Sequence, residues 1–161
     1  MKKILFIAFL IVASFTVNGQ TYKMYQTRNY HNQLRLNTVT GSVEQIQDDG
    51  QKWLIVDDIE PNGKYTNRFR LYETKNIWTF IELDTFDGRL WQVQFSVEGT
   101  SYMFSIPINK YPLVYNNHRS IFNIQPMTSM YQFYLINEDN GELWQFQWTS
   151  DGPEYIWIKK I

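Results

Sequence analysis

LDTFDGRLWQVQ, at residues 83–94, occurs in three related copies along this chain. The other copies read LNTVTGSVEQIQ at residues 36–47 and INEDNGELWQFQ at residues 136–147, which separates the copies by 47 and then 53 residues. The first offset also relates residues 22–29 to residues 69–76, so the repeat extends upstream of the motif. A repeat of this period indicates a fold built by stacking one supersecondary unit.

The middle copy shows how one unit is built. Residues 69–72 and 78–83 have the alternation and the β-forming composition of strands. The Asp87-Gly88 pair predicts a tight hairpin turn, because glycine adopts the left-handed backbone conformation that such turns need. Residues 89–95 alternate again, and residues 102–106 form a fourth β-rich run. Each unit is therefore predicted to be a four-stranded antiparallel meander.

The prediction for the whole chain is an all-β fold of three tandem units with pseudo-threefold symmetry. The repeats lie at about residues 22–56, 69–108 and 122–161, and no segment between Gln20 and the end shows a sustained helical period. Residues 57–68 and 109–120 are the linkers, which are rich in Asn, Asp, Pro and Gly. The first unit departs from the pattern, because Glu44 stands where the other units have Trp91 and Trp144.

Residues 80–90 resemble the strand, Asp-Gly turn and strand of growth-factor and fascin-type β-trefoils. The resemblance implies a six-stranded barrel capped by three hairpins. The Gln-x-Trp pattern and the cysteines of ricin-type trefoil lectins have no match here, so no glycan-contacting residue is carried over. Residues 83–91 are also similar to the blade hairpin of quinoprotein-type propellers, and the alternative is a propeller-like arrangement of three meanders. Propellers usually have about four to eight blades, so three repeats fill such a ring only if two chains combine.

The first residues predict export. Lys2 and Lys3 precede an apolar run at residues 4–17 and small residues before Gln20, the pattern of a signal peptide spanning residues 1–19. The run is shorter than the roughly 20 residues that a membrane anchor needs. The chain has no cysteine, so neither a lipid on an N-terminal cysteine nor a disulfide framework is expected. We therefore expect one all-β domain, residues 20–161, in the periplasm or outside the cell.

The charge pattern argues against nucleic acid as a partner. The chain has 15 basic and 16 acidic residues, and removal of the signal peptide would leave a formal charge near −3. The basic residues are dispersed, whereas phosphate binding concentrates Lys and Arg on one face.

The second linker is the first candidate binding segment. Aromatic and hydrogen-bonding side chains on loops of a rigid scaffold are where partners usually bind. The candidate residues there are Tyr111, Tyr115, Asn117, His118 and Arg119. The alternative is an ordinary crossover whose Leu113 and Val114 pack into the end of the barrel.

Six glutamines recur at equivalent places and form the second candidate. They are Gln45, Gln47, Gln92, Gln94, Gln145 and Gln147. As a functional site they would form three polar clefts, with Trp91 and Trp144 as stacking platforms for sugar rings. The favoured interpretation is structural: the glutamines form cross-strand amide pairs on a solvated face, and the tryptophans fill the core.

Metal and catalytic sites find weak support. Oxygen-bearing residues such as Asp84 and Asp87 surround each hairpin, but the distant glutamate of an EF-hand loop is missing, and Asx turns explain them. His31 has no second ligand at a repeated spacing. Asp57 and Asp58 are the paired carboxylates on which a glycosidase mechanism could draw. No catalytic residue, metal or cofactor is predicted.

The function expected from the sequence is an exported, non-catalytic domain that recognises a protein partner, such as an inhibitor or an immunity protein. A carbohydrate-binding module is the first alternative, and an acid-base hydrolase is the second.

Overall fold

A computed structural model describes residues 19–114 and 120–161. Its described residues form three consecutive four-stranded antiparallel sheets, which confirms the all-β fold of three tandem units. Sheet 1 contains β1 (Tyr22–Gln26), β2 (Asn32–Asn37), β3 (Val43–Gln47) and β4 (Lys52–Val56). Sheet 2 contains β5 (Phe69–Glu73), β6 (Thr79–Asp84), β7 (Leu90–Gln94) and β8 (Phe104–Pro107). Sheet 3 contains β9 (Phe122–Pro126), β10 (Gln132–Asn137), β11 (Leu143–Gln147) and β12 (Trp157–Lys160).

The repeated motif forms the central hairpin of each sheet. Gly41, Gly88 and Gly141 occupy equivalent turn positions with φ of 83°, 78° and 75°. Each of these glycine amides donates a hydrogen bond to the carbonyl of the last residue of the preceding strand. Because an L side chain is strained at positive φ, the glycines explain why this part of the motif recurs.

The burial pattern shows that the sheets stack face to face, with sheet 2 in the middle. All six residues of β6 are buried, whereas β2 and β10, its counterparts in sheets 1 and 3, are buried only at alternate residues. A strand alternates its side chains between two faces, so only sheet 2 is covered on both. We call the face of sheet 2 with Phe69, Leu71 and Phe80 its front face and the face with Ile81 and Leu83 its back face; equivalent positions define both faces of sheets 1 and 3.

Two apolar layers hold the stack together. The layer between sheets 1 and 2 contains Leu34, Leu36, Val43, Val56, Phe69, Leu71, Phe80, Val93 and Phe95. The layer between sheets 2 and 3 contains Ile81, Leu83, Leu90, Ile108, Phe122, Ile124, Phe133, Leu135, Trp144, Phe146 and Trp148. In both layers the back face of one sheet packs on the front face of the next. This order explains Glu44, since it lies on the front face of sheet 1, where no preceding sheet within the described residues covers it.

One expectation needs correction and another is left unconfirmed. Within the described ranges no sheet closes into a barrel, so trefoil closure is not confirmed and the stack fits the propeller-like alternative. The fourth strand of sheet 2 begins at Phe104 rather than Tyr102, because a turn of 3-10 helix occupies Thr100–Tyr102. A similar turn at Pro153–Tyr155 delays β12 to Trp157. No helix in the described part of the chain is long and apolar enough to cross a membrane.

Candidate functional site

The two linkers meet the three central hairpins at one end of the stack, which we call the linker end. The hairpins there are residues 38–42, 85–89 and 138–142, and the described parts of the linkers are residues 57–68, 109–114 and 120. The opposite end, which carries the remaining strand connections, is called the loop end. Antiparallel meanders place these two sets of connections at opposite ends of the strands.

A cluster of five charged side chains fixes the first linker at the linker end. Arg68 donates from Nε to Asp84 Oδ2 at 2.9 Å and from Nη2 to Glu60 Oε1 at 3.1 Å. Arg89 donates from Nη2 to the same Glu60 oxygen at 2.7 Å and from Nε to Asp87 Oδ2 at 2.8 Å. Asp84 is fully buried, and charge-assisted bonds of this kind are the strong class of hydrogen bond. The cluster joins the linker rigidly to the central hairpin of sheet 2.

Three carboxylates share two guanidinium groups in this cluster, and one carboxylate, Asp87, has a shifted pKa. Burial, followed by the charge of Asp84, raises the pKa of Asp87 to about 6, although contacts with Arg89 act in the opposite direction. Desolvation and a like charge both disfavour the ionised carboxyl. The cluster therefore gains a proton under mildly acidic conditions.

The second linker is fixed by one asparagine and one carbonyl. Asn109 accepts the Leu90 amide at 2.8 Å and donates to the carbonyls of Gly88 and Tyr111, each at 3.1 Å. The Leu113 amide donates to the Asp87 carbonyl at 2.8 Å. Tyr111 is 71% exposed between these two anchors. A large aromatic side chain thus projects from a backbone that the sheet holds in place.

An aromatic pair from the first linker and the hairpin lies beside the same turn. The ring of Tyr65, from the first linker, packs at 5.7 Å between centroids on the ring of Phe86. Tyr65 is 44% exposed. Both linkers therefore contribute a partly exposed tyrosine next to the hairpin at residues 85–89.

The residues named from the sequence lie in three different settings. Tyr111 is exposed at the linker end, whereas Tyr115, Asn117, His118 and Arg119 lie outside the described residues. The two tryptophans lie on the front faces of sheets 2 and 3. Trp91 is half-buried and packs beside Phe69, and Trp144 is buried beside Phe122. Among the described residues no ring contact joins either tryptophan to Tyr111.

The glutamines include a feature that sequence reasoning missed. Gln45 donates from Nε2 to the Ser96 carbonyl at 2.8 Å and accepts the Ser96 amide at 3.2 Å. Gln92 forms the same pair of bonds with Thr149, at 2.8 and 3.3 Å. Each glutamine thus binds the backbone of the following sheet, and we call this contact the glutamine clamp. The recurrence of glutamine at this position was the sequence signal for the clamp. It could not identify the backbone partner, because that partner lies in the next repeat.

Cross-strand amide pairs of the kind that the sequence suggested occur in sheet 1, where Gln45 donates to Asn32 Oδ1 at 2.7 Å, and in sheet 3. Gln132 donates to Gln147 Oε1 at 2.9 Å, and Gln145 donates to Gln132 Oε1 at 3.3 Å. Gln45 and Gln92 are buried, so their faces are not solvated.

The oxygen-bearing residues of the hairpins form Asx turns. Asp84 Oδ1 accepts the Phe86 amide at 3.0 Å, and Asn137 Oδ1 accepts the Asp139 amide at 3.0 Å. These bonds use the side-chain oxygens as turn caps. Within the two described ranges no group of three or more His, Cys, Asp or Glu side chains could hold a metal ion.

A polar groove of about 460 Å³ lies at the loop end. His31 and Asp48 meet there with 2.9 Å between Nδ1 and Oδ2, and Tyr30 packs on the His31 ring at 4.0 Å. The described lining residues are Asn29, His31, Asn32, Gln47, Asp48, Asp49 and Val97. They include an imidazole and carboxylates but no Ser, Thr or Cys nucleophile. Asp57 and Asp58 lie elsewhere, exposed at the start of the first linker.

Comparison of this chain with known protein families, with curated proteins and with solved structures found no match.

Proposed function

We propose that this protein is an exported, non-catalytic binding domain that recognises a protein partner at its linker end. The observation that carries the proposal is the 71% exposed Tyr111 on a backbone held by Asn109 and the Asp87 carbonyl. Tyrosine supplies a large contact area at low entropic cost, and a fixed backbone lowers the cost of binding further. The export part of the proposal rests on the signal-peptide pattern of residues 1–19.

The charge at the linker end favours a basic partner. The described acidic residues at this end are Asp57, Asp58, Glu60, Asp84, Asp87, Glu138, Asp139 and Glu142, and the basic ones are Lys64, Arg68, Arg89, Lys110 and Lys160, which pairs with Glu142. The excess of carboxylates would attract a positively charged protein surface and accelerate its association at low salt. Tyr65 and Tyr111 would then supply apolar contact area.

The test is an affinity capture from the envelope and medium of the cells that make the protein. The tagged full chain is expected to retain a specific protein, and Tyr111→Ala should weaken retention by at least tenfold, as loss of an interface aromatic does. Tyr30→Ala is the matched control, because Tyr30 is 75% exposed at the opposite end. Equal retention by both variants, with unchanged melting temperatures, would contradict a binding site at the linker end.

A carbohydrate-binding module is the second candidate, and the groove at the loop end favours it. Amide and carboxylate side chains line that groove next to the exposed ring of Tyr30, and sugar sites combine such polar groups with a stacking ring. In a glycan array, Tyr30→Ala would abolish a signal that Tyr111→Ala leaves intact. An array with no signal for the unmodified protein would exclude this candidate.

A further inference from the structure

Each sheet is joined to the next by two devices that occur twice in the chain. The Thr38 carbonyl accepts the Phe69 amide at 3.0 Å, and the Thr85 carbonyl accepts the Phe122 amide at 2.8 Å. The glutamine clamp is the second device. Both devices connect the back face or central hairpin of one sheet to the sheet that follows.

Sheet 3 has the counterparts of the Thr85 carbonyl and of the Gln92 side chain, but no fourth sheet follows within the described residues. The Glu138 carbonyl takes the position of Thr85. Gln145 takes the position of Gln92, and its amide donates only to Met127 Sδ at 3.5 Å and to Gln132 Oε1 at 3.3 Å. Among the described residues the third clamp therefore has no backbone partner.

The back face of sheet 3 also keeps its apolar residues. Tyr134, Ile136 and Leu143 lie at the positions of three fully buried residues of sheet 2, yet they are only half-buried. The residues at the same positions in sheet 2 are Ile81, Leu83 and Leu90. An apolar face of this composition continues an interface that the chain already forms twice.

The front face of sheet 1 resembles the front face of sheet 2, on which the preceding sheet packs. Tyr22 and Met24 are 56% and 48% exposed at the positions of Phe69 and Leu71, and Leu54 is 57% exposed in the same row as Met24. Tyr22 and Asn37 face each other as a pair that exchanges no backbone hydrogen bonds, as Phe69 and Asp84 do in sheet 2. The Tyr22 amide therefore points away from β2, as the Phe69 amide does. The Arg35 and Glu44 side chains pair at the centre of this face.

Charges at the two faces are complementary. Between sheets 2 and 3, Ile106 lines a groove with the segment that begins at Thr149. On sheet 3 the place of Ile106, opposite the clamp glutamine, is taken by Lys159. On sheet 1 the place of Thr149 is taken by Asp49, next to Asp48. Repetition of the internal interface would therefore place Lys159 opposite two carboxylates.

We propose that the back face of sheet 3 binds the front face of sheet 1 in a second copy of this chain. The contact is heterologous, since two different faces meet, and such contacts form closed rings when the rotation permits. Two copies with two identical contacts give a ring of six sheets, which lies within the usual propeller range of about four to eight blades. In each contact Gln145 clamps the backbone at Asp49, and the Glu138 carbonyl accepts the Tyr22 amide.

Sedimentation equilibrium of the purified protein over a range of concentrations tests the proposal. The protein should form a reversible dimer that does not grow further. Ile136→Glu on the back face of sheet 3 and Met24→Glu on the front face of sheet 1 should each give monomers. A mixture of the two variants should give a one-to-one dimer through the one intact contact. A wild-type monomer at all concentrations, growth beyond the dimer, or a dimer of Met24→Glu alone would overturn the proposal.

A charge exchange at two exposed positions provides a second test, with the melting temperature of each variant measured because Asp49 also accepts the Gln51 amide. Lys159→Glu and Asp49→Lys, each alone, should weaken the dimer by about tenfold, because like charges then meet across the contact. Both substitutions in one chain should restore the wild-type dissociation constant. Lys110→Glu, at the linker end, is the control and should leave it unchanged. Failure of the double variant to recover affinity would contradict the assigned pairing.

Discussion

Glu82 is the most unusual side chain of the stack. It is fully buried between sheets 1 and 2, and neither carboxyl oxygen has a hydrogen-bond partner among the described residues. Burial, and then the charge of Asp84, raises the pKa of Glu82 well above its usual value. The carboxyl therefore stays protonated in the folded state at a pH where the unfolded chain has released its proton. The sequence does not indicate this burial, because it does not show that both faces of β6 are covered.

Replacing Glu82 by leucine is expected to stabilise the protein. Leu135 occupies the equivalent position of sheet 3 and is fully buried there, so the fold accommodates this side chain. Glu82→Leu should raise the free energy of unfolding by about 1–3 kcal/mol at neutral pH, the cost of burying an unsatisfied polar group. Urea denaturation of both proteins measures the difference.

The pH dependence separates ionisation from packing. Since the folded pKa of Glu82 lies above its unfolded value of about 4.3, wild-type stability should fall as pH rises from that value towards the folded pKa. Below pH 4 the Glu82 carboxyl is protonated in both the folded and the unfolded state, so its ionisation no longer lowers wild-type stability. The advantage of Glu82→Leu should thus shrink as the solution is acidified, and an advantage that is constant from pH 4 to pH 8 would refute the ionisation argument.

Glutamine clamps connect neighbouring sheets through side chains from the middle of β3 and β7. A period-two pattern places Gln45 and Gln92 on a defined side of each strand, and that assignment is correct. The pattern does not show what lies across the interface, because the partner backbone belongs to the next repeat. The strands and their central turns were predictable from local residues, whereas the clamp depends on the stacking order.

Removing one clamp should destabilise the stack. Gln92→Ala leaves the Thr149 amide and carbonyl buried without their partner and should cost about 2–3 kcal/mol in thermal or urea unfolding. Gln94→Ala is the control, because Gln94 lies on the same strand and donates to the Tyr102 carbonyl at the exposed loop end, and should change stability by no more than about 0.5 kcal/mol. Equal effects of the two substitutions would show that the clamp carries no special weight.

The described part of the molecule is a stack of three meanders, and none of its sheets closes into a barrel. Three repeats and their strand order follow from the sequence, because the turn glycines and the alternation are local signals. Closure was not predictable, since a trefoil and a propeller use similar hairpins and differ only in how the faces meet. Of the candidate site, Tyr111 was named from linker composition, and its part in binding stays a prediction. The charged cluster of Glu60, Arg68 and Arg89 was missed, because its members come from a linker and a hairpin that meet only in the fold.

Amide hydrogen exchange at Ser96 and Thr149 tests the stacking order most directly. Both amides are expected to exchange slowly in the wild-type protein, since each donates to a buried glutamine oxygen of the preceding sheet. Gln45→Ala should accelerate exchange at Ser96 far more than at Thr149, and Gln92→Ala should do the reverse. Rapid exchange at both sites in the wild-type protein, or acceleration that ignores which glutamine was removed, would contradict the stack of sheets 1, 2 and 3.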